Sequence, residues 1–162
     1  MWVLAAALTL ALMPGVGLAE TADTDQPIHI RADRAQIDRH AQTIVYSGGV
    51  QVDQGSMRLL ADELTVEYED QTVVRITAEG APARYRQELD SDLGLVQASS
   101  RTIVYDTRQE QLRLQGDALL TQGGNEIAGE LIRYDMVAGR VDAEAGDDRP
   151  VRVTVQPPNR SE

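Results

Sequence analysis

The two histidines are the side chains best suited to acid–base or metal chemistry, and their positions do not favour either. His29 lies between Ile28 and Ile30 in an alternating stretch, and His40 lies in a predicted turn without metal-ligand spacing. A strand would place His29 on the face opposite its two isoleucine neighbours. We therefore interpret both histidines as surface residues rather than as catalytic bases.

The acidic run DAEAGDD, residues 142–148, has the composition of a cation site but lacks the regular Asp-x-Asp spacing of a calcium loop. A solvated turn is the favoured interpretation. The chain has no cysteine, which excludes a thiol nucleophile and a thiolate metal site. No Ser-His-Asp order, phosphate loop or zinc motif occurs, and a carboxylate pair for glycoside hydrolysis stays open without any pair singled out. The sequence thus predicts no enzyme, no metal and no cofactor.

The charge balance argues against nucleic acid as a partner. The 162 residues contain 26 Asp and Glu against 15 basic residues, all of them Arg, for a net charge of −11. Phosphate contacts dominate nucleic-acid affinity, so an acidic chain without a basic run is a poor binder of DNA or RNA.

The elements that must position any site are predicted to be strands. Apolar residues occupy every second position in the stretches IHIRA, VQVDQ, LTVEY, VVRIT, LRLQ and VRVTV. A period of two is typical of a strand with one dry face. The segment SMRLLADELTVEY could form a short helix, but its Thr, Val and Tyr residues favour a strand. Turn signals recur about every eight residues, which predicts on the order of sixteen short strands in an all-β sandwich, barrel or solenoid.

An internal repeat organises these strands. GGVQVDQG at residues 48–55 returns as GDALLTQG at residues 116–123, and Ala-led blocks lie 29 residues apart in the first half and 30 in the second. Two homologous halves stacked in one direction predict an elongated fold. We expect Gly48 and Gly116 to lie at sharp reversals between strands, and the following Gln-Gly pairs to mark the next reversals.

The N-terminus has the layout of a secretory signal peptide. An apolar stretch from Val3 to Met13 is followed by Pro14, glycines and the small residue Ala19, with no charge before Glu20. We expect cleavage after Ala19, so that the mature chain begins near Glu20. The lack of an N-terminal Lys or Arg leaves retention as a membrane anchor open. The predicted organisation is a signal peptide (1–19), a flexible segment (20–26), a β domain (27–156) and a short tail (157–162).

Several of these features together resemble one family. The segment DTDQPIHI (Asp23 to Ile30), the two Gln-Gly repeats, GAPARY (Gly80 to Tyr85) and the Ala-led blocks are similar in order to the OstA-like, LptA-type family of periplasmic lipopolysaccharide transport proteins. The resemblance covers nearly the whole mature chain. It implies a bent β-jellyroll whose two antiparallel sheets form a V with a hydrophobic groove between them.

The resemblance also implies a ligand and a set of contacts. Family contacts with the lipid A part of lipopolysaccharide fall on the N-terminal strand and on groove-facing aromatics, which match Ile28, Ile30, Tyr85 and Tyr105 here. The alternation adds aliphatic side chains on the same predicted face. These are Ile37, Val50, Val52, Leu59, Val66, Ile76, Leu114 and Leu120.

The implied function is that of a non-catalytic carrier. Family members bridge the inner-membrane lipopolysaccharide transport complex and the outer-membrane translocon during outer-membrane assembly, and they join end to end. The alternative from the residues alone is a ligand-free β-rich adapter or filament protein with a closed core. The two hypotheses differ in whether the apolar face stays open to lipid.

Overall fold

The computed structural model describes residues 26–89, 94–135 and 137–157. The predicted signal peptide lies outside these residues, as does the predicted tail apart from Pro157. The described chain is all β, and no helix in it could cross a membrane. Its strands are β1 (His29–Arg31), β2 (Arg34–Asp38), β3 (Thr43–Gln54), β4 (Met57–Glu69), β5 (Thr72–Leu89), β6 (Gly94–Asp106), β7 (Gln111–Gln122), β8 (Asn125–Asp135), β9 (Arg140–Glu144) and β10 (Arg152–Thr154).

The strands form one antiparallel sheet in the order β1-β3-β4-β5-β6-β7-β8-β10. The strands β3 to β8 follow one another as a meander of hairpins. At the ends the sheet forks, because β2 also pairs with β3, and β9 also pairs with β8. The stretch SMRLLADELTVEY lies almost entirely in β4, so the preference for a strand over a helix is confirmed.

Each pairing between successive strands from β3 to β8 is interrupted near the middle by a register shift. The shifts lie at the same level of the sheet and run across it as a line, which we call the crease. Bulges of this kind bend the strands that carry them. The crease divides the sheet into a first leaf, with β2 and β9, and a second leaf, with β1 and β10. The first leaf comprises 34–38, 43–47, 63–69, 72–79, 102–106, 111–115, 131–135 and 140–144, and the second comprises 29–31, 50–54, 57–60, 83–89, 94–99, 118–122, 125–129 and 152–154.

The repeated glycines explain how about sixteen predicted strands become ten. Gly48 and Gly116 both have φ of +83° and lie inside β3 and β7, at the crease. The expectation that they reverse the chain is wrong, since positive φ here makes a bulge within a continuous strand. Gly55 and Gly123 do lie in reversals between strands, as expected. Each of the six long strands thus supplies one segment to each leaf. The four short end strands add two segments to each leaf, which makes eight segments per leaf.

The core lies between the two leaves. Leu64, Leu114 and Ile132 are almost fully buried, and they belong to one apolar cluster that includes residues of both leaves. A flat single sheet would leave such side chains in water. Because the described residues contain no helix or second sheet to cover them, the two leaves must fold over each other.

Candidate functional site

The inward face of the folded sheet is a groove without charged side chains. Every charged residue at a paired position of the described strands faces outward, since the residues that alternate with it belong to the apolar cluster. Burial of an unpaired charge is costly, so this pattern is required of a face that excludes water. The groove can therefore receive only apolar groups along most of its surface.

Burial on this face is greatest at the crease and declines away from it. In β7, Leu114 and Ala118 flank the crease and are 1% and 2% exposed, whereas Leu112 and Leu120, one step further out on either side, are each 6% exposed. In β5, Ala78 and Ala83 are buried, but Ile76 and Tyr85 further out are only partly buried. The apolar surface is thus buried at the crease, and it becomes more exposed towards the opening between the two leaves, which we call the mouth of the groove.

Side-chain size at the crease differs from strand to strand. Alanines occupy some of the inward positions near the crease (Ala61, Ala78, Ala83, Ala98 and Ala118), and larger aliphatic residues occupy others (Val50, Leu64, Ile103, Leu114 and Ile132). Larger side chains occupy positions nearer the mouth and pack against the cluster while staying partly exposed: Ile44, Met57, Ile76, Tyr85, Tyr105 and Tyr134. Small residues allow the sharp bend, and the larger ones provide a wide apolar lining above it.

The structure brings ten of the twelve predicted site residues together on this face. Six of them belong to the buried cluster: Val50, Val52, Leu59, Val66, Leu114 and Leu120. Four are partly buried and pack against that cluster: Ile30, Ile76, Tyr85 and Tyr105. Their role as lipid contacts stays a prediction.

The other two predicted residues lie at one end of the groove. Ile28 precedes β1 and is 58% exposed. Ile37 in β2 is 63% exposed and lies opposite Ile44, which packs against the cluster. Since directly opposed residues point to the same face, Ile37 extends the groove surface outward at its end instead of completing its core.

The sequence analysis missed part of the lining. Ile132 and Tyr134 in β8, Ile103 in β6, and Tyr46 in β3 belong to the cluster or pack against it. Each follows the same alternation, so the signal was present. Extending the period of two through RTIVYD and ELIRYD would have found three of the four.

Two polar groups lie on the groove face. Ser100, at the crease, is fully buried and its hydroxyl donates to the carbonyl oxygen of Thr102 at 2.7 Å. Partial burial raises the pKa of Tyr105, and the nearby charges of Glu110 and Asp106 act in the same direction. Ser100 is thus hydrogen-bonded within its own strand, and the neutral form of Tyr105 is favoured.

The outermost inward row of the second leaf differs from the rest of the groove, because it carries amides. Gln54, Gln87, Gln122 and Asn125 lie in one cross-strand row with Met57 and Val96 between them. The Gln54 side-chain amide donates to the carbonyl oxygen of Gln26 at 3.1 Å, and Asn125 accepts from the backbone N–H of Gln156 at 3.0 Å. The mouth of this leaf can therefore form hydrogen bonds.

Both ends of the sheet present strand edges that no described strand covers. β1 and β2 pair only with β3, and β9 and β10 pair only with β8. Exposed apolar residues occur at both ends, with Ile28 and Ile37 at one and Val153 and Val155 at the other. Such edges can accept a further strand by backbone hydrogen bonds.

Within the described residues, no group of His, Asp and Glu is arranged to hold a metal ion. The chemistry that the arrangement offers is the burial of hydrocarbon, with hydrogen bonding confined to one rim.

Comparisons with known proteins agree with this geometry. Residues 29–140 match the family described as LptA/(LptD N-terminal domain) LPS transport protein. The lipopolysaccharide export system protein LptH of Pseudomonas aeruginosa is 32% identical over 163 residues, which cover 96% of this chain and 93% of the relative. The export system protein LptA of Escherichia coli (strain K12) is 32% identical over 154 residues, covering 94% of this chain and 80% of the relative.

The fold has a counterpart among solved structures. The crystal structure of LptH, the LptA homologous periplasmic component of the conserved lipopolysaccharide transport device from Pseudomonas aeruginosa, matches with a TM-score of 0.73 and 31% identity. The match covers 83% of this chain and 99% of that chain. The prediction of an all-β jellyroll-like fold is confirmed.

Proposed function

Because the chain belongs to the LptA/(LptD N-terminal domain) family of LPS transport proteins, we propose that it is a non-catalytic carrier that holds lipopolysaccharide by its lipid A acyl chains. The acyl chains lie in the groove between the leaves, and the sugars and phosphates stay outside. The observation that supports this most is the burial gradient of the inward face, from a buried apolar crease to a partly exposed mouth.

The energetics suit this role. Burying an acyl chain contributes about 0.8 kcal/mol per methylene, so a twelve-carbon chain contributes on the order of 9 kcal/mol before entropic losses. Ten of the predicted site residues supply one continuous apolar lining for such chains, and Ile28 and Ile37 extend it at one end. The amide row of the second leaf offers hydrogen bonds at the mouth, where a sugar would leave the groove.

A photo-crosslinking residue placed at Ile30 or Tyr105 tests the groove. We expect covalent adducts with lipopolysaccharide at both positions, because both side chains lie partly exposed on the inward face. The matched controls are Gln51, which faces outward next to Val52, and Glu67, which faces outward next to Val66. Adducts at the controls and not at Ile30 or Tyr105 would contradict the proposal and favour a ligand-free adapter.

We further propose that the open edges connect the carrier to its partners. A second copy of this chain, the inner-membrane transport complex or the outer-membrane translocon would each add a strand at one end of the sheet. The mature chain is periplasmic in this proposal, after cleavage near Ala19. Protein sequencing of the mature N-terminus would test the cleavage.

Light scattering over a range of concentrations tests the end-to-end contact. Val153 lies on the end strand β10 and is 60% exposed, whereas Val137 is 74% exposed in the turn between β8 and β9. We expect Val153→Asp to reduce association and Val137→Asp to leave it unchanged. A wild-type protein that stays monomeric at the highest concentration would rule out self-association through these edges.

A further inference from the structure

The outer face of the second leaf holds a concavity of about 420 Å³. Most of its lining residues face away from the groove, and Tyr85 and Ala98, whose side chains face the groove, alternate with them along β5 and β6. Three arginines line it: Arg58, Arg84 and Arg86. The strand register explains why they meet there. Arg58 lies directly opposite Arg86 across β4 and β5, and Arg84 is two residues before Arg86 on the same face. Directly opposed side chains have Cβ atoms about 5 Å apart, and like charges at that distance are destabilising.

This concavity has no carboxylate in its lining. Three other concavities on the described surface are each lined by at least two acidic residues. The absence is notable in a chain of net charge −11. The side chains that line this concavity thus carry positive charge, whereas the protein as a whole is negative.

The three arginines are not equally neutralised. The Arg58 Nε donates to Asp53 at 2.6 Å, and this hydrogen bond, followed by one from Gln51, holds the pKa of the Asp53 carboxyl below its usual range. Arg86 is 3.5 Å from Glu88, which is at the limit of a hydrogen bond. Within the described residues, Arg84 makes no ion pair. An anion placed against Arg84 and Arg86 would compensate charge that the chain itself leaves largely uncompensated.

We propose that this concavity is a binding site for a phosphate group. Arg84 is its principal contact, and Arg86 and Arg58 are the second and third. Guanidinium groups donate paired hydrogen bonds that fit phosphate oxygens. Ser99 lies directly opposite Arg84 on β6 and lines the same concavity, so its hydroxyl adds a further donor. The site is on the face opposite the lipid groove, and it goes beyond the proposed function.

Two leucines determine which phosphate fits best. Leu60 is opposite Arg84 on β4 and 39% exposed, and Leu119 is opposite Ser99 on β7; both line the concavity. A phosphate attached to hydrocarbon would cover these leucines, which free phosphate cannot do. The shared chemistry is the phosphate, and the source is either a phosphorylated lipid or inorganic phosphate.

The test compares Arg84→Gln with Arg113→Gln in the full mature chain. Arg113 is the matched control, because it also faces outward and makes no ion pair in the described part, but its concavity is lined by Glu67 and Asp106. Binding is measured by co-sedimentation with phosphatidylcholine vesicles with and without phosphatidic acid, and by calorimetric titration with inorganic phosphate.

We expect Arg84→Gln to weaken binding to phosphatidic acid vesicles about tenfold, the scale of one lost charge-assisted hydrogen bond, and Arg113→Gln to change it less than about twofold. Arg86→Gln, as a second variant, should weaken it in the same direction. Loss confined to the vesicle arm identifies a lipid phosphate, and loss in both arms identifies phosphate from either source. Equal effects of Arg84→Gln and Arg113→Gln, or no phosphate-dependent binding by the wild type, would overturn the proposal.

The outcome is separable from that of the proposed function. Lipopolysaccharide adducts from Tyr105 should form equally well in the Arg84→Gln background, because Tyr105 lies on the other face and in the other leaf. Failure of phosphate binding would leave those adducts intact, and failure of the adducts would leave phosphate binding intact.

Discussion

The two leaves have similar inward faces and different outward faces. At paired positions, nine carboxylates and five arginines face outward from the first leaf, and three carboxylates and five arginines face outward from the second. In the first leaf these are Asp38, Glu63, Glu67, Glu69, Glu79, Asp106, Asp135, Asp142, Glu144, Arg34, Arg75, Arg113, Arg133 and Arg140; in the second they are Asp53, Glu88, Glu126, Arg31, Arg58, Arg84, Arg86 and Arg152.

This difference separates what the fold requires from what it leaves free. The inward positions of both leaves must be apolar, because each leaf covers the other. The outward positions face water in both leaves, so stability does not demand a particular charge there. An excess of arginines over carboxylates on one outer face of an acidic protein is therefore evidence about binding. The apolar inward face is evidence about both binding and folding.

The largest effect is expected where the leaves are alike. Leu114→Ala in the first leaf and Leu120→Ala in the second should each destabilise the protein by about 2–5 kcal/mol, because both side chains are buried in the shared cluster. Urea unfolding followed by circular dichroism measures the loss, with Leu60→Ala on the outer face as a control expected to cost less than about 1 kcal/mol. Since six strands run through both leaves, each variant should unfold in one transition. Separate transitions would show that the two leaves unfold independently.

A smaller effect is expected at the crease that joins the leaves. Gly48→Ala and Gly116→Ala should each lose about 1–2 kcal/mol from the positive φ alone. An added Cβ would also lie 2.7 Å from the Cβ of Asp33 at Gly48 and 3.0 Å from the Cβ of Arg101 at Gly116. Both variants should therefore lose more than this, and Gly48→Ala the most. Gly49→Ala is the matched control, because its φ is +54° and no atom lies within 4 Å of an added Cβ. If Gly49→Ala destabilises as much as Gly48→Ala, the close packing at the crease does not matter.

The same glycines mark how far the sequence could predict the fold. The alternation of apolar and polar residues predicted which stretches form strands and which side of each strand is buried, because an alternation with period two is typical of a strand with one buried face. It could not distinguish a reversal from a bulge at Gly48 and Gly116, since both require the same positive φ. The partner strand decides between them, and the residues around each glycine do not determine which strand pairs there.

The groove was more predictable than the outer site for a related reason. Val52 and Leu120 are 68 residues apart in sequence, yet one rule of alternation places both on the inward face. Arg58 and Arg84 are 26 residues apart and follow no such rule. Only the register of β4 against β5 brings Arg58 next to Arg84 and Arg86, so the alternation alone does not predict the concavity that they line.

Replacing an arginine should change the stability of the protein by different amounts on the two outer faces, and both changes should be smaller than those at the crease. Arg75 lies 3.4 Å from Glu67 and 3.7 Å from Asp106 across the first leaf, so Arg75→Gln should destabilise the protein by up to about 1 kcal/mol. Arg84→Gln in the second leaf should change stability by less than about 0.5 kcal/mol. Urea unfolding at low and high salt measures both, and the Arg75 effect should shrink in high salt. A larger loss from Arg84→Gln would assign Arg84 a structural role.

The smallest effect concerns the mouth of the first leaf at alkaline pH. Burial raises the pKa of Tyr105 above its ordinary value of 10.0, with Glu110 and Asp106 adding to the shift. The unfolded chain therefore ionises this tyrosine first, so its contribution to stability is complete below pH 10 and is lost as pH rises through the folded pKa. Tyr105→Phe should flatten the decline in stability above pH 10 while leaving the slope near pH 7 unchanged. Urea midpoints at a series of pH values measure this, and parallel curves for the variant and the wild type would mean that the mouth at Tyr105 is as polar as bulk water.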